Sequence, residues 1–309
     1  MRAFRWFLIL SVALISAVTP EMASAAGGLT ILDSRGEQHF ETMPKRVVAL
    51  NWAMAEHLVD LEVPLLGVAN PNGYNEWVRV PALPGGIMDL GKRDAPNLEQ
   101  LLMLKPDLIL LAGDQGPYAS RFEQIAPVLH FDLFREDHNN AAKARQVFSA
   151  LGAFFGRSEL AERKLAEMDQ RIATQKTEIV AAYNGTPPPV TIVRFTDEKR
   201  VVIYGENSMA TAALDGLGLE TGYPVPNSRW GLVFKPVTAL GSIDNGLVLH
   251  IEPFSKKDLL FGTDLWGEMP FVKSGNFHAM PSLWTYGGAL SIGRAADSIT
   301  TILLGASGK

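Results

Sequence analysis

The sequence predicts an α/β protein built as two Rossmann-like lobes joined by one long helix, with a ligand cleft between the lobes. Short, wholly apolar runs alternate with helical spacing in the first part of the chain, and the same alternation restarts after Pro187-Pro188-Pro189. Such runs, separated by helices, imply parallel sheets covered on both faces. Between the two halves, residues 139–182 contain almost no breaker beyond Gly152 and Gly156. At 309 residues the chain also exceeds what one hydrophobic core comfortably serves.

The elements follow in order. Arg2 and Arg5 precede an apolar run from Trp6 to Val18 and the small residues Ala23-Ser24-Ala25, the layout of a secretory signal cleaved near Ala25. The run is too short to span a bilayer as a helix, so residues 1–25 are expected to be removed. Residues 26–156 then form the N-terminal lobe, 157–184 the interlobe helix and 185–309 the C-terminal lobe. Leu29–Leu32 and Gln38–Phe40 flank Ser34-Arg35-Gly36 as a hairpin. Arg46–Leu50, Pro64–Ala69, Asp107–Leu111 and Val128–Phe131 read as buried strands. Ala53–Leu61, Asn97–Leu104 and Tyr118–Ala126 read as the helices between them. Ser158 is expected to cap a helix of about 25 residues running through Leu165, Met168, Ile172 and Ile179, close to 37 Å long. Asn184-Gly185 stops it. Val190–Phe195, Val201–Tyr204, a helix Ser208–Leu217, a short helix from Val237 and a strand Leu247–Ile251 make up the second lobe.

Composition excludes several functions. No cysteine occurs, so there is neither a disulfide framework nor a lipid-attachment site after the signal. The net charge is −5 and no basic block occurs, which leaves no electrostatic footprint for nucleic acid. No later apolar run reaches spanning length. The sequence lacks G-x-G-x-x-G, a P-loop, a G-x-S-x-G elbow and H-E-x-x-H. The six histidines (His39, His57, His130, His138, His250, His278) are scattered, without metal-ligand spacing. These absences argue against an enzyme and against a resident metal or other cofactor.

Aromatic placement is more informative. Trp77 with Tyr74, Tyr118, Trp230 with Arg229, and Trp284 with Tyr286 all stand in Gly-, Pro- and Asn-rich stretches. Aromatics in loops above a sheet line binding crevices, because loops carry function on a rigid scaffold. Arg93 adds planar, charge-assisted donors, unless Asp89 or Asp94 neutralises it. An aromatic cup with one arginine suits a compact ligand with an apolar rim and anionic oxygens.

The run Ile87-Met88-Asp89-Leu90-Gly91-Lys92-Arg93-Asp94-Ala95-Pro96-Asn97-Leu98-Glu99, followed by Leu104-Lys105-Pro106-Asp107, resembles the N-lobe signature of iron–siderophore binding proteins of ABC importers, in their hydroxamate-binding branch. Tyr74-Asn75-Glu76-Trp77-Val78, Tyr204-Gly205-Glu206-Asn207-Ser208, Trp230-Gly231, Met269-Pro270-Phe271-Val272 and Trp284-Thr285-Tyr286-Gly287 extend the resemblance, in order, over nearly the whole chain.

The resemblance implies a periplasmic, monomeric protein that carries an intact ferric siderophore to an inner-membrane permease, with the iron arriving already chelated. By position it assigns Arg93 to the iron-coordinating hydroxamate oxygens, and Trp77, Trp230, Trp284 and Tyr286 to the pocket walls. It makes Val202 an apolar contact and places Trp52 at the border of the site. Two departures are visible: the family's N-lobe tyrosine aligns with Gln115, with Tyr118 three residues on, and a C-lobe asparagine aligns with Ser228. The family's two permease-docking acids fall at Ser120 and Thr238, which carry no charge, so Glu123 and Asp244 become the docking candidates. The alternatives in view are another chelate (catecholate or citrate siderophore, haem, cobalamin) or a periplasmic hydrolase.

Overall fold

A computed structural model describes residues 28–308, so the expected signal segment lies outside the described residues. A hairpin opens the fold, β1 (Leu29–Asp33) against β2 (Gly36–Phe40). Five parallel strands follow: β3 (Val47–Ala49), β4 (Leu65–Val68), β5 (Met88–Asp89), β6 (Leu108–Ala112) and β7 (Val128–Phe131). Their order is β5-β4-β3-β6-β7. The chain therefore winds outward from β3 in one direction, then crosses back to β6 and winds the other way. A crevice opens outside the carboxyl ends of β3 and β6, at that switch point.

Helices α1 (Trp52–Asp60), α2 (Pro71–Trp77), α3 (Leu98–Leu104) and α4 (Ala119–Phe122) connect these strands. The segment expected as one helix from Tyr118 to Ala126 is instead a 3-10 turn, Gly113–Tyr118, that runs into the single turn of α4. Pro117 interrupts the regular hydrogen-bond ladder there. Helix α5 (Asn140–Phe154) takes its N-cap from Asn139, and α6 (Ser158–Ala182) is the 25-residue helix read from the sequence. Its cap position is Arg157 rather than Ser158, and no side chain caps it. Met168, Ile172 and Ile179 form a buried stripe on an otherwise polar helix.

The second sheet has the order β10-β9-β8-β11-β12, from β8 (Val190–Phe195), β9 (Arg200–Tyr204), β10 (Leu232–Pro236), β11 (Leu247–Ile251) and β12 (Phe277–Met280). It is mixed, because β8, β11 and β12 run parallel while β9 runs against β8 and β10. Helix α7 (Met209–Leu217) follows β9. The segment from Val237 is a 3-10 turn to Ser242, and α8 (Lys257–Phe261), α9 (Asp264–Gly267) and α10 (Pro270–Lys273) lie between β11 and β12. The chain ends in α11 (Ser291–Ala306), whose Ile292, Ala295, Ala296, Ile299 and Leu303 are buried. Helices α5, α6, α7 and α11 pack together, so their shared core continues from one lobe into the other.

Candidate functional site

The site starts at the end of β3. Asn51 caps α1 by accepting from the Ala53 N–H at 2.9 Å, which turns Trp52 inward until only 2 % of it is exposed. The Trp52 indole N–H donates to the Ala69 carbonyl at 2.9 Å, at the end of β4. With its polar edge satisfied, the ring offers a face. The Arg93 guanidinium lies over it, 3.9 Å from the ring centroid, and 5.0 Å from that of Trp284. Attraction between a cation and these ring faces holds the side chain without consuming its donors.

Neither acid weighed as a partner for Arg93 neutralises it. The Asp89 carboxylate accepts from the Gly91 N–H at 2.9 Å, and Asp94 acts on Arg93 only through its charge. Burial lowers the Arg93 pKa somewhat, but the group starts so high that it stays charged. Gln115, expected as a ligand contact, braces the loop instead. Its amide donates at 2.8 Å to the carbonyls of Leu50 and Arg93, and its oxygen accepts from the Ala112 N–H at 3.2 Å. Tyr118 stands on the rim, 58 % exposed.

The opposite wall comes from the C-terminal lobe. Trp230 stacks on Phe134 at 5.9 Å and meets the edge of Tyr286 at 5.8 Å, while Trp284 meets Tyr286 at 5.1 Å and Trp52 at 4.6 Å. Trp230 also presses on Gly113, where φ is +57° and a Cβ would come within 3.3 Å of the indole. The left-handed backbone favours glycine there, and a Cβ would push the indole back by a few tenths of an ångström. A cavity of about 810 Å³ opens among Asn51, Asn70, Arg93, Gln115, Tyr118 and Trp230, and an exposed ion pair between Asp114 and Arg229 crosses between the lobes beside it. Trp77, at the end of α2, is not among the residues that line this cavity; Arg194 of β8 approaches its ring at 5.8 Å and the Ser282 hydroxyl reaches its carbonyl at 3.1 Å.

Two of the expected residues stand elsewhere, and a third spends its side chain within its own turn. Val202 is 0 % exposed, in the core between β9 and the helices, so it offers no surface to a ligand. The Ser228 hydroxyl is consumed within its own turn, donating to the Leu232 carbonyl at 2.8 Å and accepting from the Leu232 N–H at 2.7 Å. Asp244 precedes β11, at the end of the sheet opposite the Trp284 loop, which leaves the carboxyl end of the parallel strand β12. Five strand residues, roughly 16 Å, separate those two ends. Glu123 is 45 % exposed, and one carboxylate oxygen accepts from Arg35 at 2.5 Å.

Sequence reasoning missed Phe134 and Arg194. A lone charge inside the apolar run Val190–Phe195 was the available signal for Arg194. It also missed a buried polar cluster behind the Trp284 loop. There the Ala289 N–H donates to His57 Nε2 at 2.9 Å, the Ser291 hydroxyl donates to Glu56 at 2.6 Å, and Arg294 bridges Glu56 at 3.1 Å and Asp60 at 2.7 Å. Burial pushes the Glu56 carboxyl up to about 7, against the pull of Arg294, and pushes His57 down to about 3. A Cβ on Gly287 would come within 2.6 Å of the Glu56 carboxylate, so the close approach of the loop depends on glycine. Among the described residues, no group of three or more His, Asp or Glu is placed to hold a metal ion.

This geometry has known counterparts. The periplasmic binding protein family matches residues 47–232. The iron(3+)-hydroxamate-binding protein FhuD of Escherichia coli is 30 % identical over 250 residues, covering 80 % of this chain and 83 % of that protein. The Fe(3+) dicitrate-binding periplasmic protein FecB of the same organism is 27 % identical over 63 % of each. The crystal structure of FhuD from Vibrio cholerae with bound Fe3+-Desferal superposes with a TM-score of 0.83 at 35 % identity, covering 85 % of this chain and 98 % of that one. With a family match over residues 47–232, 30 % identity over most of both chains and a superposition that covers 85 % of this one, the chain belongs to the periplasmic binding protein family and, within it, to the FhuD-like siderophore-binding proteins.

Proposed function

We propose that the protein binds an intact ferric siderophore of the hydroxamate type in the periplasm and passes it to an ABC permease. The observation that carries this reading is Arg93, a half-buried cation held by the faces of Trp52 and Trp284 with no carboxylate paired to it among the described residues, at the edge of a cavity of about 810 Å³. Ferric hydroxamates present partly negative oxygens around iron on an apolar, flexible frame. Arg93 meets two of those oxygens by charge-assisted bonds while Trp230, Trp284 and Tyr286 cover the rim, so recognition reads the chelate and tolerates varied frames. The iron keeps its chelator throughout, and the protein supplies no ligand to it. Submicromolar binding requires more than about 8 kcal/mol, within reach of a few desolvated aromatics and one such cation.

Saturable quenching of tryptophan fluorescence by ferric desferal, with the chelate recovered unchanged, is the expected result, since Trp230 lines the cavity and Trp52 and Trp284 hold Arg93 at its edge. Absence of quenching at micromolar chelate, or loss of iron from the chelate during the titration, would defeat the reading.

A further inference from the structure

We propose that Arg194 is a second ligand-facing cation, and that it selects ferric hydroxamate chelates carrying an anionic arm such as a free carboxylate. This rests on the siderophore-binding reading above. Arg194 is the one charged side chain of β8 and is only partly buried. Strand alternation puts it on the side of Val190 and Ile192, the face that meets the core shared between the lobes. Its guanidinium hydrogen-bonds the hydroxyls of Tyr204 and Tyr286 and lies 5.8 Å from the ring of Trp77, which belongs to the other lobe.

Both oxygens holding Arg194 are uncharged. Burial pushes the Tyr286 hydroxyl up to about 12 and raises that of Tyr204 as well, so at neutral pH they remain phenols. Thr285, the next polar group, donates to the Tyr204 oxygen at 3.3 Å and brings no charge. No carboxylate lies within ion-pair distance of Arg194 among the described residues. A cation withdrawn from water and met only by neutral dipoles is incompletely compensated, and an arriving anion restores what it lacks.

Tyr286 touches both Trp284 and Trp230, so it is the middle of the aromatic floor. Arg93 approaches that floor at Trp284 from the N-terminal lobe, and Arg194 holds it at Tyr286 from the C-terminal lobe. With the iron-centred oxygens at Arg93, the organic frame extends toward Trp77 and Arg194. A carboxylate on that part of the frame finds a cation there, and a cationic tail meets like charge.

The test compares two probes by tryptophan fluorescence titration: ferric desferal, which is cationic, and ferric desferal succinylated on its terminal amine, which keeps the same iron centre and carries a free carboxylate, so that it is anionic. The parent is expected to bind both and to prefer the anionic one. Arg194→Gln is expected to lower the ratio of anionic to cationic affinity about tenfold or more. Arg194→Lys keeps most of that ratio, and Arg93→Ala weakens both chelates in similar proportion. An unchanged ratio in Arg194→Gln overturns the assignment. If that variant is poorly folded, the lysine variant decides, because a folded Arg194→Lys that has lost the preference overturns it too. A parent that binds ferric desferal but not the anionic probe defeats the role of Arg194 alone, whereas a parent that binds neither defeats the siderophore reading beneath it.

Discussion

Arg93 keeps its donors free because indole faces hold it, with Gln115 fixing its backbone from behind. Replacing it with alanine removes the charge without exposing a buried acid. Affinity for ferric desferal is therefore expected to fall by about 1 to 3 kcal/mol, several-fold to more than a hundredfold, while the melting temperature holds. Lysine recovers part of the loss, since an ammonium has charge but no planar fork. Unchanged affinity in a folded Arg93→Ala would make the arginine structural. At this scale the sequence showed which residue types gather at the crevice but not how their polar atoms are spent. Trp230, Trp284 and Tyr286 gather because each stands in a loop free to turn its ring inward, whereas Trp77 ends helix α2 and meets Arg194. Gln115 and Ser228 spend their polar atoms on backbone groups instead, Gln115 on Leu50, Arg93 and Ala112, and Ser228 on Leu232 in its own turn. Val202 sits in a strand whose alternation points it into the core, and position along a strand does not tell which face a ligand meets.

At the scale of elements, periodic segments were legible and broken ones were not. The strands β3, β6, β8 and β11 and the helix α6 follow from apolar runs and helical spacing. Helix α2 was hidden by Pro71, Asn72 and Gly73, although Pro is well suited to the first turn and Asn70 caps the helix by accepting from the Gly73 N–H. The loop after Tyr286 is positioned by α1, whose Glu56 and His57 face Ser291 and Arg294 of α11, with Asp60, Lys164 and Tyr74 close by. Glu56, raised from 4.5 to about 7 by burial, contributes stability that is full below about pH 4.5 and is lost as pH rises through about 7. His57, lowered from 6.5 to about 3 by burial, contributes stability that is present above 6.5 and is lost as pH falls toward about 3. Between 4.5 and 6.5 the two slopes oppose each other and largely cancel. His57→Gln keeps an acceptor for the Ala289 N–H and removes one slope. Relative to the parent, this variant is expected to gain about 1 to 2 kcal/mol as pH falls from about 6.5 to about 5. Denaturant melts across that range check it, and parallel curves for variant and parent would show that His57 does not titrate in the way its burial implies.

At the scale of the molecule, the lobes are tied at more than the connecting helix. Arg294 of α11 reaches Glu56 and Asp60 of α1, the Ser282 hydroxyl binds the end of α2, and Asp114 pairs with Arg229. Such ties favour small relative motion, so a permease must read mainly the surface that the two lobes present. Ser120 on α4 and Thr238 in the 3-10 turn after β10 are both exposed, where the resemblance places acids, but neither carries charge. Glu123, one turn after Ser120, has one carboxylate oxygen engaged by Arg35 and remains partly open to a second arginine. We propose it as the N-lobe contact. Asp244 faces the wrong end of the C-terminal sheet for a surface that includes the crevice, which turns it from a candidate into a control. Exposed pairs contribute only about 0.2 to 1 kcal/mol, so Glu123→Lys is expected to slow siderophore uptake by cells moderately while chelate affinity in vitro stays at the parent value. Asp244→Lys is expected to leave uptake unchanged. Equal defects in the two variants would place the permease contact elsewhere, as would normal uptake with Glu123→Lys.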